Sequence, residues 1–142
     1  MDAVDRRGYE VMTERFAGDS LVALATLNEG RPAVRTIDAA YRDGSFYAIT
    51  YALSGKMLQI AADPRVAVSG EWFTGQGLGE NLGWLCAQEN RALHAMLKTA
   101  FAAWYDNGHI NEADPNTVIL RIRLTDGVVM EHGARYVLTF PA

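Results

Sequence analysis

The connections between the first three apolar segments are too short to be anything but reversals of direction. Ser20 to Leu27 (SLVALATL), Pro32 to Tyr41 and Phe46 to Thr50 are separated only by Asn28-Glu29-Gly30 and Arg42-Asp43-Gly44-Ser45. A parallel crossover takes about a dozen residues or more, so the three segments must pair antiparallel. Both connections carry the Asn/Asp and Gly residues of hairpin turns. The first segment is almost continuously apolar, as in a strand buried on both faces.

The rest of the chain adds helices and further strands to this meander. Residues 2–16 predict a helix with Val4, Val11, Met12 and Phe16 on one stripe, ended by Gly18-Asp19. Ser54 to Ala62 changes to helical period and stops at Asp63-Pro64. Val66 to Phe73 returns to strand, and Gly75 to Gly83 is expected to be a long flexible connection. Leu93, Met96, Leu97, Ala100, Phe101 and Trp104 recur at helical spacing, with Asn107-Gly108 as the expected cap. Val118, Leu120, Ile122 and Leu124 alternate with Arg121 and Arg123 as a half-exposed strand. Thr125-Asp126-Gly127 then leads to Val128–His132, and Arg135–Phe140 forms the last strand. A small antiparallel sheet removes its edges best by closing on itself. The fold expected is therefore mainly β: an antiparallel barrel of about six strands with three helices at its periphery, one domain over residues 1–142.

Composition excludes several function classes. A formal net charge of -4 and a 49% hydrophobic fraction fit a soluble domain and leave no broad basic footprint for nucleic acid or an anionic membrane. No stretch approaches the roughly 20 apolar residues of a membrane-spanning helix, and the N-terminus does not read as a signal peptide. The one cysteine, Cys86, rules out an internal disulfide and a Cys-rich zinc site. It sits beside Leu85 and Ala87, which suggests inert packing, and a cytoplasmic location is expected.

Chemistry concentrates between Arg35 and Lys56. Alternation puts Ala33, Arg35, Ile37 and Ala39 on one face of their strand. An arginine among small apolar neighbours needs an anion or hydrogen-bond acceptors; reaching solvent, or pairing with Asp38 or Glu71, would also satisfy it. One strand later, Thr50 precedes a helix start at which Ser54 fits the N-cap and Lys56 lies in the first turn. A cation there opposes the helix dipole by about 0.3–1 kcal/mol. A bound phosphate reverses that sign, because the free N–H groups and the dipole both favour an anion. A capped helix with a solvated lysine is the plainer alternative.

Arg35-Thr36-Ile37, the Asp43-Gly44 turn, the strand ending at Thr50, Ser54-x-Lys56 and the closing Asp63-Pro64-Arg65-Val66 follow one another in a set order. Over about residues 18–74 this order resembles the pyridoxamine 5'-phosphate oxidase-like flavin-binding split-barrel family. The resemblance implies a six-stranded antiparallel split β-barrel of Greek-key type and a homodimer with FMN at the subunit interface. It implies that Arg35 and Lys56 contact the phosphate and that Thr50 and Ser54 donate hydroxyls. Thr36, Ile37 and Tyr51 would border the ribityl chain or the ring. The chain departs from the vitamin B6 oxidases where Asp38 and Ala39 follow the arginine strand and where it lacks an arginine-rich C-terminal segment. The resemblance is therefore to the shorter, general-stress-protein-like members, and strict pyridoxamine phosphate oxidation is not implied.

Other groups attract weaker readings. Gly75-x-Gly77-x-Gly79 lacks the βαβ setting of a dinucleotide fingerprint. Trp72 or Trp84 could stack on a flavin, although aromatics at such positions more often fill a core. His132, Arg135 and Tyr136 could meet a flavin held by the partner subunit. His109, Glu112 and Asp114 read as a surface loop, so no metal site is expected, and His94 and Lys98 are expected to be solvated. No catalytic acid–base set stands out, which suits a flavin-dependent oxidoreductase whose cofactor carries the electron chemistry. The alternatives are a non-catalytic flavin-binding, sensing or storage module, or the same barrel holding a deazaflavin or, least of all, haem. Substrate and electron donor are not named by any residue.

Overall fold

The computed structural model describes residues 3–141, apart from the side chains of Val4 and Asp5. The expected helix start at Asp2 and the Val4 part of its stripe lie outside them. The elements are α1 (Ala3–Phe16), β1 (Ser20–Asn28), β2 (Arg31–Arg42), β3 (Ser45–Tyr51), α2 (Gly55–Ala62), β4 (Arg65–Gly70), β5 (Phe73–Trp84), α3 (Arg91–Ala100), β6 (Thr117–Glu131) and β7 (Ala134–Thr139). A single 3₁₀ turn, Gln88–Asn90, leads into α3.

Neighbouring strands run β3-β2-β1-β4-β5-β6-β7, and a further β3–β6 pairing closes the first six into a barrel. All pairings are antiparallel. Because β4 returns beside β1, the first four strands form a Greek key. β7 lies outside the barrel on the far edge of β6. It is one strand more than the barrel needs.

The barrel is split at one seam. β2 and β3 pair only at Ala40↔Tyr47, Tyr41↔Phe46 and Arg42↔Ser45. Beyond these, β2 stays with β1 from Arg31 to Ala39, while β3 stays with β6 out to Tyr51↔Thr117. The diverging strands leave one edge of β2 without a ladder. Along a strand, alternate residues direct their N–H and C=O to opposite edges, so half of those groups between Arg31 and Ala39 face the opening.

Two cores hold the assembly. Inside the barrel, Val11, Met12 and Phe16 of α1 pack with Val22, Leu24, Phe46 and Phe73, and with Leu120, Ile122 and Leu124 of β6. Phe16 meets Phe46 edge-on at 5.6 Å, a geometry that contributes beyond area burial. Outside the β3–β6 wall, Leu97, Phe101 and Tyr105 pack on Ile119 and Ala40. α2 contributes Met57 and Ile60 to the inner core; at about 1.5–3 kcal/mol for each fully buried side chain, they fix the helix on the barrel.

Four expectations are corrected. Val66–Phe73 is not one strand: β4 ends at Gly70, and after a turn at Glu71-Trp72 Phe73 opens β5 and pairs back to Gly70. The Gly75–Gly83 segment is not a flexible loop: it lies within β5, paired to β4 and β6. Its glycines answer a close approach, since a Cβ at Gly77 would collide with the Arg123 carbonyl oxygen and one at Gly79 would lie 2.9 Å from Ile60. Thr125-Asp126-Gly127 does not interrupt the sixth strand, which runs unbroken from Thr117 to Glu131. α3 ends at Ala100 rather than at Asn107-Gly108, and the Phe101 N–H closes its last turn on the Leu97 carbonyl. Among the described residues, no helix is long and apolar enough to cross a membrane.

Candidate functional site

Arg35 points toward the barrel interior, opposite Leu24 in the β1–β2 register. Among the described residues its guanidinium is received only by neutral acceptors. Nη1 donates to Thr26 Oγ1 at 2.7 Å and to the Leu24 carbonyl at 3.2 Å, and Nη2 donates to Gln59 Oε1 at 3.1 Å. The Thr26 hydroxyl in turn donates to Gln59 Oε1 at 2.6 Å. These groups orient the cation but leave its charge uncompensated. Arg35 pairs with neither Asp38 nor Glu71. Asp38 instead faces Asp19, and burial followed by that carboxylate raises its pKa; the Glu71 carbonyl accepts from Arg15.

Lys56 lies close enough to feel this charge. Burial, and then the Arg35 guanidinium, hold its pKa below the ordinary lysine value. Its one hydrogen bond among the described residues is to Ser54 Oγ, at 3.4 Å. Among those residues neither Arg35 nor Lys56 forms an ion pair with a carboxylate. Two half-buried cations that repel each other, with no anion among the described residues, are costly, and this arrangement is what a dianionic ligand would relieve.

Ser54 occupies the N-cap of α2, with extended backbone and its carbonyl accepting from the Leu58 N–H at 3.0 Å. Its hydroxyl makes no capping bond to the helix. The first N–H groups of α2 therefore lack a side-chain acceptor, and no acidic residue stands in the first turn. Helix starts of this kind bind anions. A turn from Tyr51, whose carbonyl accepts from the Ser54 N–H at 3.1 Å, carries the chain from β3 to this point.

The remaining expected residues are distributed by strand parity. Thr36 is exposed on the outer face of β2, at the open edge. The Ile37 side chain packs against the inner core, so only its backbone is free to border a ligand. Thr50 is half-buried at the end of β3, and Tyr51 is exposed. Arg35 is tied to α2 through Gln59, and Lys56 reaches Ser54 at the start of that helix; Thr36 and Ile37 lie on β2 beside the seam, and Thr50 and Tyr51 end β3 beyond the three β2–β3 pairs. Gln59 and Thr26 were not expected beside Arg35. Gln59 had a signal, because it follows Lys56 at i+3 on the same helical face; Thr26 is a polar residue at an inward position of an apolar strand.

Trp72, His132, Arg135 and Tyr136 are not brought to this region. Trp72 and His132 sit at exposed hairpin turns with φ 52° and 48°, and Tyr136 packs over Gly8 of α1. Trp84 is held by its indole N–H on the Glu112 carbonyl at 2.9 Å.

The His109, Glu112 and Asp114 group separates. His109 is exposed, and Asp114 Oδ1 accepts from the Asn116 N–H. Glu112 turns instead to His94 and Tyr105, so His94 is not a solvated residue. Tyr105, and then His94, hold the Glu112 carboxyl below its ordinary pKa. Burial, then Glu112, push the Tyr105 phenol up, and the same two causes raise the Cys86 thiol.

The family model described as pyridoxamine 5'-phosphate oxidase matches residues 10–130. The chain belongs to this family. Solved structures bear out the fold. A FAD-binding protein from Mesorhizobium loti is 20% identical with TM-score 0.66, covering 89% of this chain and 92% of that one. General Stress Protein 26 from Bacillus anthracis str. Sterne is 19% identical with TM-score 0.67, covering 91% and 97%. An F420 reductase is 20% identical with TM-score 0.62, covering 80% and 93%. At these identities the likeness is one of fold alone. No curated protein matches the chain.

Proposed function

We propose that this family member is a flavin-dependent oxidoreductase that binds FMN at the interface of a homodimer. The observation that carries the reading is the pair Arg35 and Lys56: within electrostatic reach of each other, half-buried, without a carboxylate partner among the described residues, and set beside the start of α2, whose N-cap side chain makes no capping bond. A terminal phosphate would accept from both cations, from the Ser54 and Thr50 hydroxyls and from the free helix N–H groups. The open edge of β2 near Thr36 and Ile37 offers backbone donors and acceptors to a flavin, and Tyr51 offers an exposed ring. FMN, when bound, supplies hydride or electron transfer, while the protein binds and orients it and limits access by water.

A second copy of the chain is supported by an apolar outer face. Leu21, Val34 and Val137 are 68%, 70% and 59% exposed. Val34 and Val137 line a groove of about 500 Å³ together with Ala23, Ala25 and Ala67. Surfaces of this kind mark association sites.

The F420 reductase likeness favours one alternative, a deazaflavin in the same barrel. The absorption spectrum of the purified protein, before and after adding FMN, separates the two. A protein that binds F420 but not FMN would replace the cofactor; one that binds neither would overturn the flavin reading. Reduction of bound FMN by NADH or NADPH, followed by turnover with an acceptor, is the result expected of the oxidoreductase. Bound FMN inert to both donors would make the protein a binding module.

A further inference from the structure

On the opposite side of the β3–β6 wall from the barrel interior, three successive segments between β5 and β6 bring a thiol, an imidazole and a carboxylate together. We propose that Cys86, His94 and Glu112 form a binding site for a divalent transition-metal ion of the zinc class. Their Sγ, ring nitrogen and carboxylate oxygen all lie within 4.8 Å of one another. His94 Nε2 and Glu112 Oε1 are already 3.1 Å apart. Tetrahedral zinc, with bonds of about 2.0–2.3 Å, separates its ligand atoms by about 3.3–3.7 Å. Side-chain adjustments of about an ångström therefore complete the geometry.

Hydrogen bonding accounts for part of this cluster but not for all of it. The Tyr105 hydroxyl bonds both His94 Nε2 and Glu112 Oε1. Cys86 Sγ lies within 4.8 Å of both other donor atoms, yet it makes no hydrogen bond among the described residues. A sulfur, a nitrogen and an oxygen donor converging in this way select a borderline-soft ion over magnesium or calcium, which take oxygen ligands.

The donors are held from behind. Asn90 Nδ2 donates to the Leu82 and Trp84 carbonyls at 3.1 and 2.8 Å, which fixes the chain entering Cys86. The Leu85 N–H bonds the Thr117 carbonyl at 2.8 Å. The Trp84 indole holds the backbone at Glu112, and Leu97 and Phe101 bury the inner face of the His94 helix. On metal binding, Cys86 gives up its thiol proton to solvent. Nε2 of His94 becomes a ligand, with its proton on Nδ1, while Tyr105 remains on Glu112 as an outer-sphere hydrogen bond. Glu112 and Tyr105 also form part of the wall of an open cavity of about 380 Å³, so the Glu112 side of the cluster is reached from solvent.

The test is zinc titration of the chelator-stripped, reduced protein against a chromophoric competitor, with cobalt substitution as the spectroscopic readout. One zinc per chain is expected, together with a thiolate-to-cobalt charge-transfer band. Outer-sphere substitutions typically weaken metal sites about 10- to 100-fold, so Cys86→Ser and His94→Ala should each weaken zinc by about 100-fold or more. Tyr105→Phe should fall within about 10- to 100-fold, and His109→Ala should leave affinity unchanged. Circular dichroism checks that each variant folds. If His94→Ala does not, Cys86→Ser and the cobalt band of the unaltered protein decide the question. Zinc binding that is indifferent to Cys86 and His94, or a cobalt spectrum without a thiolate band, would overturn the site and leave a hydrogen-bonded network. Neither readout depends on flavin, so failure here is distinct from failure of the cofactor reading.

Discussion

Lys56→Met separates two effects of opposite sign that the lysine combines. Methionine keeps the apolar stem on the barrel surface and removes only the ammonium. In the free protein that ammonium stands in the first turn of α2, which lacks any acidic residue, and beside the Arg35 guanidinium. The helix dipole alone opposes it by about 0.3–1 kcal/mol. The variant without ligand should therefore be more stable by about that amount, a rise in Tm of about 1–4 °C. With FMN bound the sign reverses. A hydrogen bond to a charged group contributes about 1.5–3 kcal/mol, so at about 1.4 kcal/mol per tenfold the affinity should fall about 10- to 150-fold. Riboflavin lacks the phosphate and should lose less than about threefold, under about 0.7 kcal/mol by the same conversion. Calorimetric unfolding of the ligand-free protein and flavin fluorescence titration with both ligands measure the two halves. A lower Tm with an unchanged ratio of FMN to riboflavin affinity would refute the reasoning, because Lys56 would then be a structural residue.

The same site and the barrel give three further predictions. Because the Lys56 pKa is lowered, its charge is lost over a pH range below the ordinary lysine value of about 10.4. FMN affinity should fall as pH rises through that range, while ligand-free stability should rise because the unfolded chain binds the extra proton there; titrations with FMN and riboflavin in parallel test this, and identical pH profiles would count against it. Thr26→Val removes a buried hydroxyl that links Arg35 to Gln59; it should cost about 1–3 kcal/mol in urea unfolding and weaken FMN, and unchanged values for both would show the network to be idle. Gly77→Ala should destabilise by at least about 1–3 kcal/mol, since its Cβ would meet the Arg123 backbone carbonyl. A wild-type Tm for that variant would mean β5 does not approach β6 as described.

Two elements that depart from their local reading share a physical cause. Glycine has low strand propensity, so Gly75-x-Gly77-x-Gly79 reads locally as a loop, and Thr125-Asp126-Gly127 reads as a turn. In the barrel these glycines lie where strands and α2 approach too closely for a Cβ, and tertiary packing overrides propensity. His94 departs for a different reason. Its own helix presents it away from the apolar stripe, but Tyr105 and Glu112 arrive from the following irregular segment to meet it.

By itself the sequence determined the antiparallel meander, the three helices and the cations at Arg35 and Lys56, because turn length, period and charge are local properties. The tertiary structure alone decided that β2 and β3 part after three residue pairs, that β7 lies outside the barrel, and that neutral Thr26 and Gln59 hold Arg35. It also decided that Cys86, His94 and Glu112 converge. Those facts depend on which segments lie side by side after the barrel closes, and no spacing along the chain encodes them.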